Sequence, residues 1–491
     1  MRLLNLRSRF FFSQLFLILI KMKIHSVHTV FNADIYTPVD LYLAFRNSFR
    51  KTCLLESNDY NSSRNGKSFI GLEPIIEITL IDNLLSIISE NETEVIVLNS
   101  KETIANQLQS ILENFEFISD ENLKNIGIEN GFYGRLSFEF NQLDNSHLVS
   151  EKSDLEIPSL HFFIYKYVVV IDHFHNTGYL IENSKLNQFS NSSMQDLLKG
   201  RNRLSLPFEL IGAEKAQFSD SQFSDLVEKA KSEIKLGNVF QLVVSNAFQQ
   251  QFFGDDFQVY RQLRRLNPSP YLFYFDFESY RLFGSSPEAQ VIIKNGVSEI
   301  HPIAGTIPVT NDSQKDKLNL QHLIEDEKEN AEHTMLVDLA RNDLSRDCSN
   351  VRVASYKEVQ NFSHVMHLVS RITGELKHEK SFVALCNSFP AGTLSGTPKS
   401  RAIELINQFE QKTRDYYGGC VGLFTANSDI NSAIVIRSFL SKNNVLHFRA
   451  GAGVVFDSDP KTEAQEVHHK LKALRVALNK TQLENALIPQ L

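Results

Sequence analysis

The sequence predicts an α+β fold built on large, mainly antiparallel β-sheets. The chain has 491 residues, of which 42% are apolar, so it can bury a sizeable core and exceeds the usual length of one domain. Short runs rich in β-branched residues recur between polar turns, for example at 94–98 and 165–171. Such runs are typical of strands, and they outnumber the strand–helix–strand units that a parallel sheet requires.

Two lobes are predicted on either side of a polar stretch at 183–203, which is rich in Asn and Ser. Residues 22–205 form the predicted N-terminal lobe, and residues 216–480 form the predicted second domain. The second domain opens with a helix at about 219–236 that ends at Gly237. Further strands are predicted at 239–244, 271–277, 290–293, 434–440 and 445–450.

The first 21 residues superficially resemble a signal peptide. Arg7 and Arg9 precede an apolar run at 10–20, which is too short to span a bilayer as a helix. No small-residue cleavage site follows, and Met22 is an alternative start. We therefore predict that residues 1–21 form an extension outside the fold.

The composition argues against a nucleic-acid-binding protein. Charged residues make up 22% of the chain and the formal net charge is −8, and no basic stripe offers a surface for phosphates. The four cysteines, Cys53, Cys348, Cys386 and Cys420, lack the spacing of a disulfide framework or a metal site. This usage favours a reducing compartment, and we expect the protein in the cytoplasm.

Two pairs of glutamates carry the most information about function. Glu329 with Glu332, and Glu463 with Glu466, have the i,i+3 spacing that places two carboxylates on one helix face. Each pair stands at the head of an apolar stripe that should face the interior, where a carboxylate is costly without a cation or donors. Four acids so placed predict a shared Mg²⁺ with oxygen ligands. The alternative is that acids in a first helical turn merely favour the helix dipole. For the second pair the stripe consists of Val467, Leu471, Leu474 and Leu478.

A glycine-rich loop at 392–400 enters a predicted helix. Thr397 and Pro398 separate Gly396 from Lys399, so the loop is not a P-loop. We expect Thr397 as the N-cap and Pro398 at the first helical position. The exposed N–H groups of such a helix start favour an anion, and a plain capped helix is the alternative.

Four other residues lie in patterns that are common at functional sites. Cys420 has the Gly-x-Cys-x-Gly surroundings of a nucleophile elbow but no suitable base follows, so we interpret it as a buried strand residue. His364 and His367 lie three apart in an apolar strand, so at most one faces a given site. Arg437 at the end of an apolar run needs an anionic partner, unless it reaches water.

Several segments taken together resemble one family. They lie at 54–57, 68–72, 234–241, 267–271, 284–288, 302–306, 329–343, 365–370, 389–399 and 450–470. In this order and density they are similar to the chorismate-utilising enzymes, and within them to the large components of anthranilate synthases. The resemblance implies a sandwich-like sheet core flanked by helices, with regulatory elements in the N-terminal lobe and the chorismate site in the second domain.

The resemblance also implies an Mg-dependent lyase reaction and the residues that perform it. Ammonia would add to the chorismate ring, the 4-hydroxyl would leave, and pyruvate would then be eliminated to give anthranilate. The four glutamates would hold Mg²⁺ against the ring carboxylate, Glu288 would assist departure of the hydroxyl, and His367 would assist loss of pyruvate. The implied substrate-binding residues are Gln241, Thr306, Thr393, Tyr417, Arg437, Gly451, Gly453 and Lys470.

Two positions separate relatives within this family. Isochorismate-forming members carry a lysine where this chain has Gln241, and aminodeoxychorismate synthases commonly carry one where it has Ala304. His301 and Ile307 depart from the arginines that many members have beside the 302–306 run. These differences favour anthranilate formation, with aminodeoxychorismate synthase component I as the alternative.

The resemblance further implies feedback inhibition by tryptophan, the end product of the pathway that this reaction would open. Glu56 would meet the ammonium group of tryptophan and Ser57 its polar edge, although a surface turn with an edge strand is the alternative. A regulator that kept the fold without catalysis was also considered, but every catalytic position is filled. The implied tryptophan site consists of Glu56, Ser57, Asn267, Pro270, Tyr271 and Leu272.

No glutaminase signature occurs in the chain. By the resemblance, ammonia would come from a separate glutamine amidotransferase subunit, so we expect a hetero-oligomer.

Overall fold

The structure is a computed structural model that describes residues 21–57, 66–90, 92–98, 102–119, 123, 128, 130–143, 155–190, 192–308, 312–361, 365–425 and 427–487. The predicted extension at 1–21 lies outside the described residues except for Lys21, and His364 also lies outside them.

Ten α-helices occur in the described residues. They are α1 (Pro38–Phe45), α2 (Ile104–Glu113), α3 (Met194–Leu198), α4 (Asp220–Lys235), α5 (Phe257–Leu266), α6 (Ser313–Glu325), α7 (Glu327–Asp347), α8 (Ser381–Ser388), α9 (Lys399–Glu410) and α10 (Pro460–Leu487).

Twenty-three strands occur in the same part of the chain. They are β1 (Met22–Asn32), β2 (Cys53–Ser57), β3 (Lys67–Ile81), β4 (Leu84–Ser89), β5 (Thr93–Val97), β6 (Phe115–Ser119), β7 (Gly131–Leu136), β8 (Leu160–Asp172), β9 (Thr177–Ser184), β10 (Phe208–Ala216), β11 (Gln241–Gly254), β12 (Tyr271–Asp276), β13 (Arg281–Ser286), β14 (Ala289–Lys294), β15 (Val297–Ile300), β16 (Ile303–Pro308), β17 (Cys348–Asn361), β18 (Val365–Leu376), β19 (Gly396–Thr397), β20 (Cys420–Thr425), β21 (Ile430–Ile434), β22 (Ser438–Lys442) and β23 (Val445–Val454).

Two long antiparallel strands, β3 and β8, organise the sheets. They pair from Lys67 opposite Asp172 to Leu80 opposite Leu160, with a bulge near Pro74. At one end of this ladder they are flanked by β2 and β9, and at the other end by β4 and β7. The same two strands therefore belong to two different sheets. The longer part of the first sheet extends from the β3 side through β2, and the longer part of the second extends from the β8 side through β7.

The first sheet runs β10-β11-β23-β22-β13-β12-β2-β3-β8-β9-β1-β6. The second runs β5-β4-β3-β8-β7-β20-β21-β14-β15-β18, and β18 also pairs with β16 and β17. Among the described pairings only β1 with β6 is parallel. The predicted α+β class with mainly antiparallel sheets is confirmed.

Side chains from both sheets meet in a buried layer between them. Phe163 on β8, Phe275 on β12 and Val421 on β20 belong to one apolar cluster there. Two further clusters lie where helices cover the sheets, α4, α5, α9 and α10 on one side and α2 and α8 on another. This is the sandwich-like core flanked by helices that the resemblance implied.

Local sequence signals set the helices that carry the site. In α4 the side chains of Ser219 and Gln222 form a capping box, and Gly237 adopts a left-handed φ of 76° just beyond the end. Both features match the predicted start and stop. In α10 the predicted stripe is buried, with Val467, Leu471 and Leu474 at 2%, 1% and 0% exposure. The stripe holds the start of α10 against the sheet.

Two predictions about local structure are wrong. The run at 434–440 is not one strand, because β21 ends at Ile434 and β22 begins at Ser438, with Arg437 in the left-handed region at φ 51°. Thr397 does not cap α9, because its backbone pairs with Gln241 in the short strand β19 and Pro398 becomes the N-cap. Tertiary pairing overrides the local signal in both places.

The predicted division into two lobes stays a prediction. Strands from both sides of the predicted boundary pair directly, as β2 does with β12 and β7 with β20.

Cys420 is a buried strand residue, as expected, and burial raises the pKa of its thiol to about 12. Cys53, Cys348 and Cys386 are likewise buried and unbridged. Within the described residues, no helix combines the length and the apolar character needed to cross a membrane.

Candidate active site

One cleft of about 680 Å³ gathers residues that are up to 229 positions apart in the sequence, from Gln241 to Lys470. Its walls come from β11, β18, β23, α7, α10 and the turns beside β13, β20 and β21. The predicted residues that line it are Gln241, Glu288, Glu329, Glu332, His367, Thr393, Tyr417, Arg437, Gly451, Gly453, Glu463, Glu466 and Lys470. Thr306 has its backbone opposite His367, and its side chain lies outside the described part.

The two glutamate pairs enter this cleft from two different helices. The carboxylate of Asp326 caps α7 by accepting the N–H of Glu329 over 2.9 Å, which fixes the helix start so that both acids of the pair line the cleft. From α10, Glu463 is only 4% exposed. Burying a carboxylate to this extent is costly unless a cation or hydrogen-bond donors bind it.

Neighbouring groups already engage two of these acids. The amide Nε2 of Gln241 donates to Glu332 Oε1 over 3.1 Å. The ammonium of Lys470 lies 2.6 Å from Glu466 Oε1 and donates to the carbonyl of Gly451 over 2.9 Å. Hydrogen bonds from Gln241 and Lys470 therefore fix the orientation of the Glu332 and Glu466 carboxylates in the cleft.

These acids fit a hard divalent cation in donor type. Carboxylate oxygens are the ligands that Mg²⁺ prefers. Gly453 keeps space open beside them, since a Cβ there would lie 3.0 Å from Gln241 Nε2 and 3.8 Å from Glu332 Oε1. Among the described residues, however, no three acidic, imidazole or thiol groups converge into a ready-made ligand cluster. The Mg²⁺ site stays a prediction.

Glu288 stands between β13 and β14 and accepts a hydrogen bond from Thr393. The Thr393 hydroxyl lies 3.0 Å from Glu288 Oε1. Burial raises the pKa of Glu288 to about 7, against the lowering effects of Thr393 and the charge of Lys470. A carboxylic acid that keeps its proton near neutral pH can act as a general acid.

His367 is fixed in one tautomer by the backbone. Its Nδ1 lies 2.8 Å from the carbonyl of Gly305, and because a carbonyl can only accept, Nδ1 carries the proton. Burial, with the charge of Arg437 adding to it, lowers the pKa of His367. The ring is therefore neutral near pH 7, and its Nε2 is the basic nitrogen.

Arg437 projects from the left-handed turn between β21 and β22, with its backbone carbonyl accepting the N–H of Ser285 over 3.1 Å. Burial lowers the pKa of its guanidinium, while Tyr417 raises it. None of the described carboxylates forms an ion pair with it. A non-glycine residue held at positive φ beside a cleft is typical of a functional position.

Tyr417 and Gly451 form a close contact on the same side of the cleft. A Cβ on Gly451 would lie 2.8 Å from the carbonyl of Val244 and 3.3 Å from the Tyr417 hydroxyl. Only glycine allows this approach of strand and ring. Burial raises the pKa of Tyr417 to about 12, so its hydroxyl is a donor at neutral pH.

Sequence reasoning missed a buried charge network under the cleft. Glu410 is fully buried and binds both Arg414 and Arg449. Its Oε1 also accepts the backbone N–H and the hydroxyl of Ser245 over 2.8 and 2.9 Å. Arg414 donates in turn to the carbonyl of Leu394 over 2.5 Å. The network thus fixes the residue next to Thr393. In the sequence, this network is signalled only by charged residues next to apolar runs, such as Arg449 in the run at 445–454.

The lysine of the glycine-rich loop serves a structural role. Lys399 Nζ lies 2.8 Å from Asp343 Oδ2 and 2.7 Å from the carbonyl of Ser388, and both charged side chains are buried. A buried pair of this kind leaves the lysine bound to protein groups, which agrees with rejecting a P-loop.

Four of the six residues of the predicted tryptophan site line a second, smaller cavity. β2 pairs with β12 so that Ser57 is opposite Tyr271 and Glu56 is opposite Leu272. These four residues line a cavity of about 110 Å³ between the sheets, together with Lys67. Asn267 and Pro270 lie just before β12, where the Asn267 side chain donates to Ser269 over 3.3 Å.

The carboxylate of Glu56 is already occupied on its other side. Arg264 binds both oxygens, at 2.8 and 2.9 Å from its Nε, and the Tyr260 hydroxyl donates to Oε1 over 2.6 Å. Sequence reasoning did not anticipate these partners, which fix the orientation of the acid at the cavity wall.

Comparisons with known proteins agree on one family. Residues 59–476 match a family described as chorismate binding enzyme. Anthranilate synthase component 1 of Bacillus subtilis (strain 168) is 33% identical over 483 residues, which cover 91% of this chain and 92% of the relative. The same component of Lactococcus lactis subsp. lactis (strain IL1403) is 33% identical over 455 residues, covering 90% and 97%.

Solved structures give the same result for the fold. Anthranilate synthase component I from Streptococcus pneumoniae TIGR4 superposes with a TM-score of 0.73 at 30% identity, covering 90% of this chain and 98% of that one. The menaquinone-specific isochorismate synthase from Escherichia coli superposes with a TM-score of 0.70 at 19% identity, covering 93% and 94%. At that identity the second comparison speaks for the fold alone.

Proposed function

The chain belongs to the chorismate-binding enzyme family, and from this premise we propose that it is the large component of an anthranilate synthase. The proposed reaction converts chorismate and ammonia to anthranilate and pyruvate. The observation that carries the proposal is the cleft itself, which places the acid Glu288, the neutral base His367 and the guanidinium of Arg437 around one space.

Substrate binding follows from charge. Chorismate carries two carboxylates, and the cleft offers a cationic and an acidic side to hold them apart. Arg437 would pair with the enolpyruvyl carboxylate, assisted by the Tyr417 hydroxyl, because a guanidinium is the best donor for a carboxylate. On the acidic side, a bound Mg²⁺ would neutralise the ring carboxylate and polarise the ring. Glu329, Glu332, Glu463 and Glu466 are the residues that would hold it.

In the first half-reaction a C–N bond forms at ring carbon 2 and the C–O bond at carbon 4 breaks. The leaving oxygen takes the proton of Glu288 and departs as water. The new ammonium nitrogen releases one proton, and Glu288 regains one before the next turnover. An acid with a pKa of about 7 is suited to giving and regaining a proton at neutral pH.

In the second half-reaction the ring becomes aromatic. Nε2 of His367 removes the proton from carbon 2, the electron pair forms the aromatic bond, and the C–O bond to the side chain breaks. The enolpyruvate that leaves takes up a proton on its methylene carbon and becomes pyruvate. The hydrogen bond from Nδ1 to Gly305 keeps Nε2 available as the base.

Two side chains support ammonia rather than another nucleophile. Gln241 donates its amide to Glu332 and cannot deprotonate water, so it does not favour a hydroxylated product. Ala304 offers no amine that could attack the ring. We infer that ammonia is delivered by a separate glutamine amidotransferase subunit, since this chain has no glutaminase signature and the name "component 1" implies a second component in the relatives.

Regulation by tryptophan is part of the proposal. The cavity between the sheets is lined by apolar side chains with Glu56, Ser57 and Lys67 at its edge. This combination suits an indole with an ammonium and a carboxylate.

One assay tests the proposed function. The purified full-length chain would be incubated near neutral pH with chorismate, Mg²⁺ and a large excess of ammonium, and the product identified by fluorescence and mass. We expect anthranilate and an equal amount of pyruvate, with inhibition on adding tryptophan. Formation of aminodeoxychorismate without pyruvate, or of isochorismate, would overturn the assignment. A Glu288→Gln variant is the control for contaminating activity.

A further inference from the structure

A small chamber lies beside Glu288 and shares part of its lining with the cleft. It has a volume of about 30 Å³. Glu288, Leu336 and Thr393 line both spaces. A volume of this size accommodates a water molecule, which requires a cavity of roughly 10–15 Å³.

Gln290 gives the chamber an unsatisfied acceptor. Its side chain is 3% exposed, and no donor among the described residues lies within hydrogen-bond distance of its Oε1. A buried amide oxygen without a donor costs about 1–3 kcal/mol unless water meets it. The pairing of β14 with β21 shifts register between Ala289 and Val291, and a bulge of this kind redirects a side chain beside an active site.

Two further polar residues, Asp343 and Ser388, line the chamber. Lys399 lies outside the lining and donates to the Asp343 carboxylate and to the carbonyl of Ser388. Apolar side chains such as Leu339 and Pro302 close the rest. A site with several polar groups and apolar walls holds ordered water, whereas a purely apolar one stays dry.

We propose that this chamber binds a water molecule between Gln290 Oε1 and the carboxyl of Glu288, and that this water returns the proton to Glu288 after each turnover. The inference rests on the proposed function only for the turnover, since the water site follows from the cavity and its lining. It gives the acid a proton path that bound substrate does not block.

The proton balance is closed. Glu288 gives its proton to the leaving oxygen, which departs as water. The chamber water donates a proton to the Glu288 carboxylate and takes one from its other neighbour, a solvent-connected water. The added nitrogen releases one proton to solvent. Lys470 is the charged group that acts on Glu288 from the cleft side, and Asp343, which is paired with Lys399, lines the chamber.

Gln290→Leu tests the proposal because it removes the acceptor and fills the space. A high-resolution crystal structure of the parent chain should show water density bonded to Gln290, and the variant should lose it. Infrared titration without substrate, with Glu288→Gln as the reference, should show the pKa of Glu288 raised by roughly one unit, because the carboxylate loses solvation. The kcat should fall about tenfold while KM for chorismate changes less than about twofold.

Matched variants separate this role from general damage. Gln250→Leu removes another buried glutamine, whose amide bonds the carbonyl of Ile211 over 3.0 Å away from the cleft, and it should leave the Glu288 titration unchanged. Gln290→Asn keeps an acceptor and should recover part of kcat. Absence of chamber water in the parent, or an unshifted pKa in Gln290→Leu, would overturn the proposal. The water density and the infrared titration of Glu288 test the water site even if anthranilate is not the product.

Discussion

The hydroxyl of Thr393 donates a hydrogen bond to the carboxyl of Glu288 over 3.0 Å, although the two residues are 105 positions apart. One belongs to a short 3-10 turn at 392–394 and the other to the connection between two strands. The turn is fixed by Arg414, which binds the carbonyl of Leu394. The position of the candidate acid therefore depends on a buried charge network, one member of which, Arg449, also lines the cleft.

The acid role of Glu288 predicts a falling activity with rising pH. Because the group acts in its protonated form and burial raises its pKa to about 7, kcat should fall by tenfold per pH unit well above pH 7, whereas protonation of the base His367 should lower kcat on the acid side. Glu288→Gln should lower kcat by roughly 10²–10⁴ with little change in KM. Thr393→Val should shift the fall in kcat to higher pH, because the hydrogen bond from Thr393 lowers the pKa of Glu288. A fall in kcat that stays at the same pH in Thr393→Val would contradict the assignment.

Arg437 is predicted to act mainly in binding. Arg437→Gln removes the charge-assisted hydrogen bonds expected to the enolpyruvyl carboxylate, which are worth roughly 1.5–3 kcal/mol. We expect kcat/KM for chorismate to fall about 10–100-fold, mostly through KM. Arg371→Gln, an exposed arginine 3.8 Å from Glu299, is the matched control and should leave KM unchanged. An unaltered KM in Arg437→Gln would exclude this role.

Features that depend on local periodicity could be predicted from the sequence. The i,i+3 glutamate pairs lie on α7 and α10 as expected, and the stripe behind Glu463 is buried. The site residues were then assembled by the family resemblance, and the structure brings Gln241, Glu288 and Arg437 into one cleft.

Features that depend on distant pairing could not be predicted. The run at 434–440 has the β-branched residues of one strand, yet its backbone breaks at Arg437, whose carbonyl pairs with Ser285. The partners of Glu410 come from two strands, β11 and β23, and from the loop after α9, up to 165 positions away. Strand order likewise follows from the ladder of β3 with β8, which no local pattern encodes.

The Mg²⁺ hypothesis predicts a change in metal requirement. Glu463→Gln should raise the Mg²⁺ concentration for half-maximal activity at least tenfold, because one oxygen donor loses its charge. Mn²⁺ binding followed by electron paramagnetic resonance should weaken in parallel without any turnover. Glu484→Gln, near the other end of α10 and bonded to Arg265, is the control. Equal Mn²⁺ affinity in both variants would reject the four-glutamate site.

The cavity between the sheets predicts a separable loss of feedback. Ser57→Phe would fill the space beside Tyr271, so tryptophan should be needed at concentrations at least tenfold higher for half inhibition, a loss of about 1.4 kcal/mol. Activity without tryptophan should change less than about twofold. Ser279→Phe, on an exposed turn, controls for the added ring. Feedback that is equally strong in Ser57→Phe would show that tryptophan binds elsewhere.

Removing the charge of Glu410 is predicted to lower the free energy of unfolding strongly. Truncation to Ala leaves Arg414 and Arg449 buried without their carboxylate, which should destabilise the protein by about 3–5 kcal/mol. The arginines hold the pKa of Glu410 below its ordinary value of 4.5 against the opposing effect of burial, so its contribution is full above pH 4.5 and is lost as the pH falls through the lowered folded-state value. The difference in urea midpoint between parent and Glu410→Ala should therefore narrow at acid pH. On the same helix, Glu404 forms a half-exposed pair with Arg401 at 2.7 Å, and Glu404→Ala should cost at most about 1 kcal/mol. Similar losses in the two variants would mean that the buried network does not anchor the cleft.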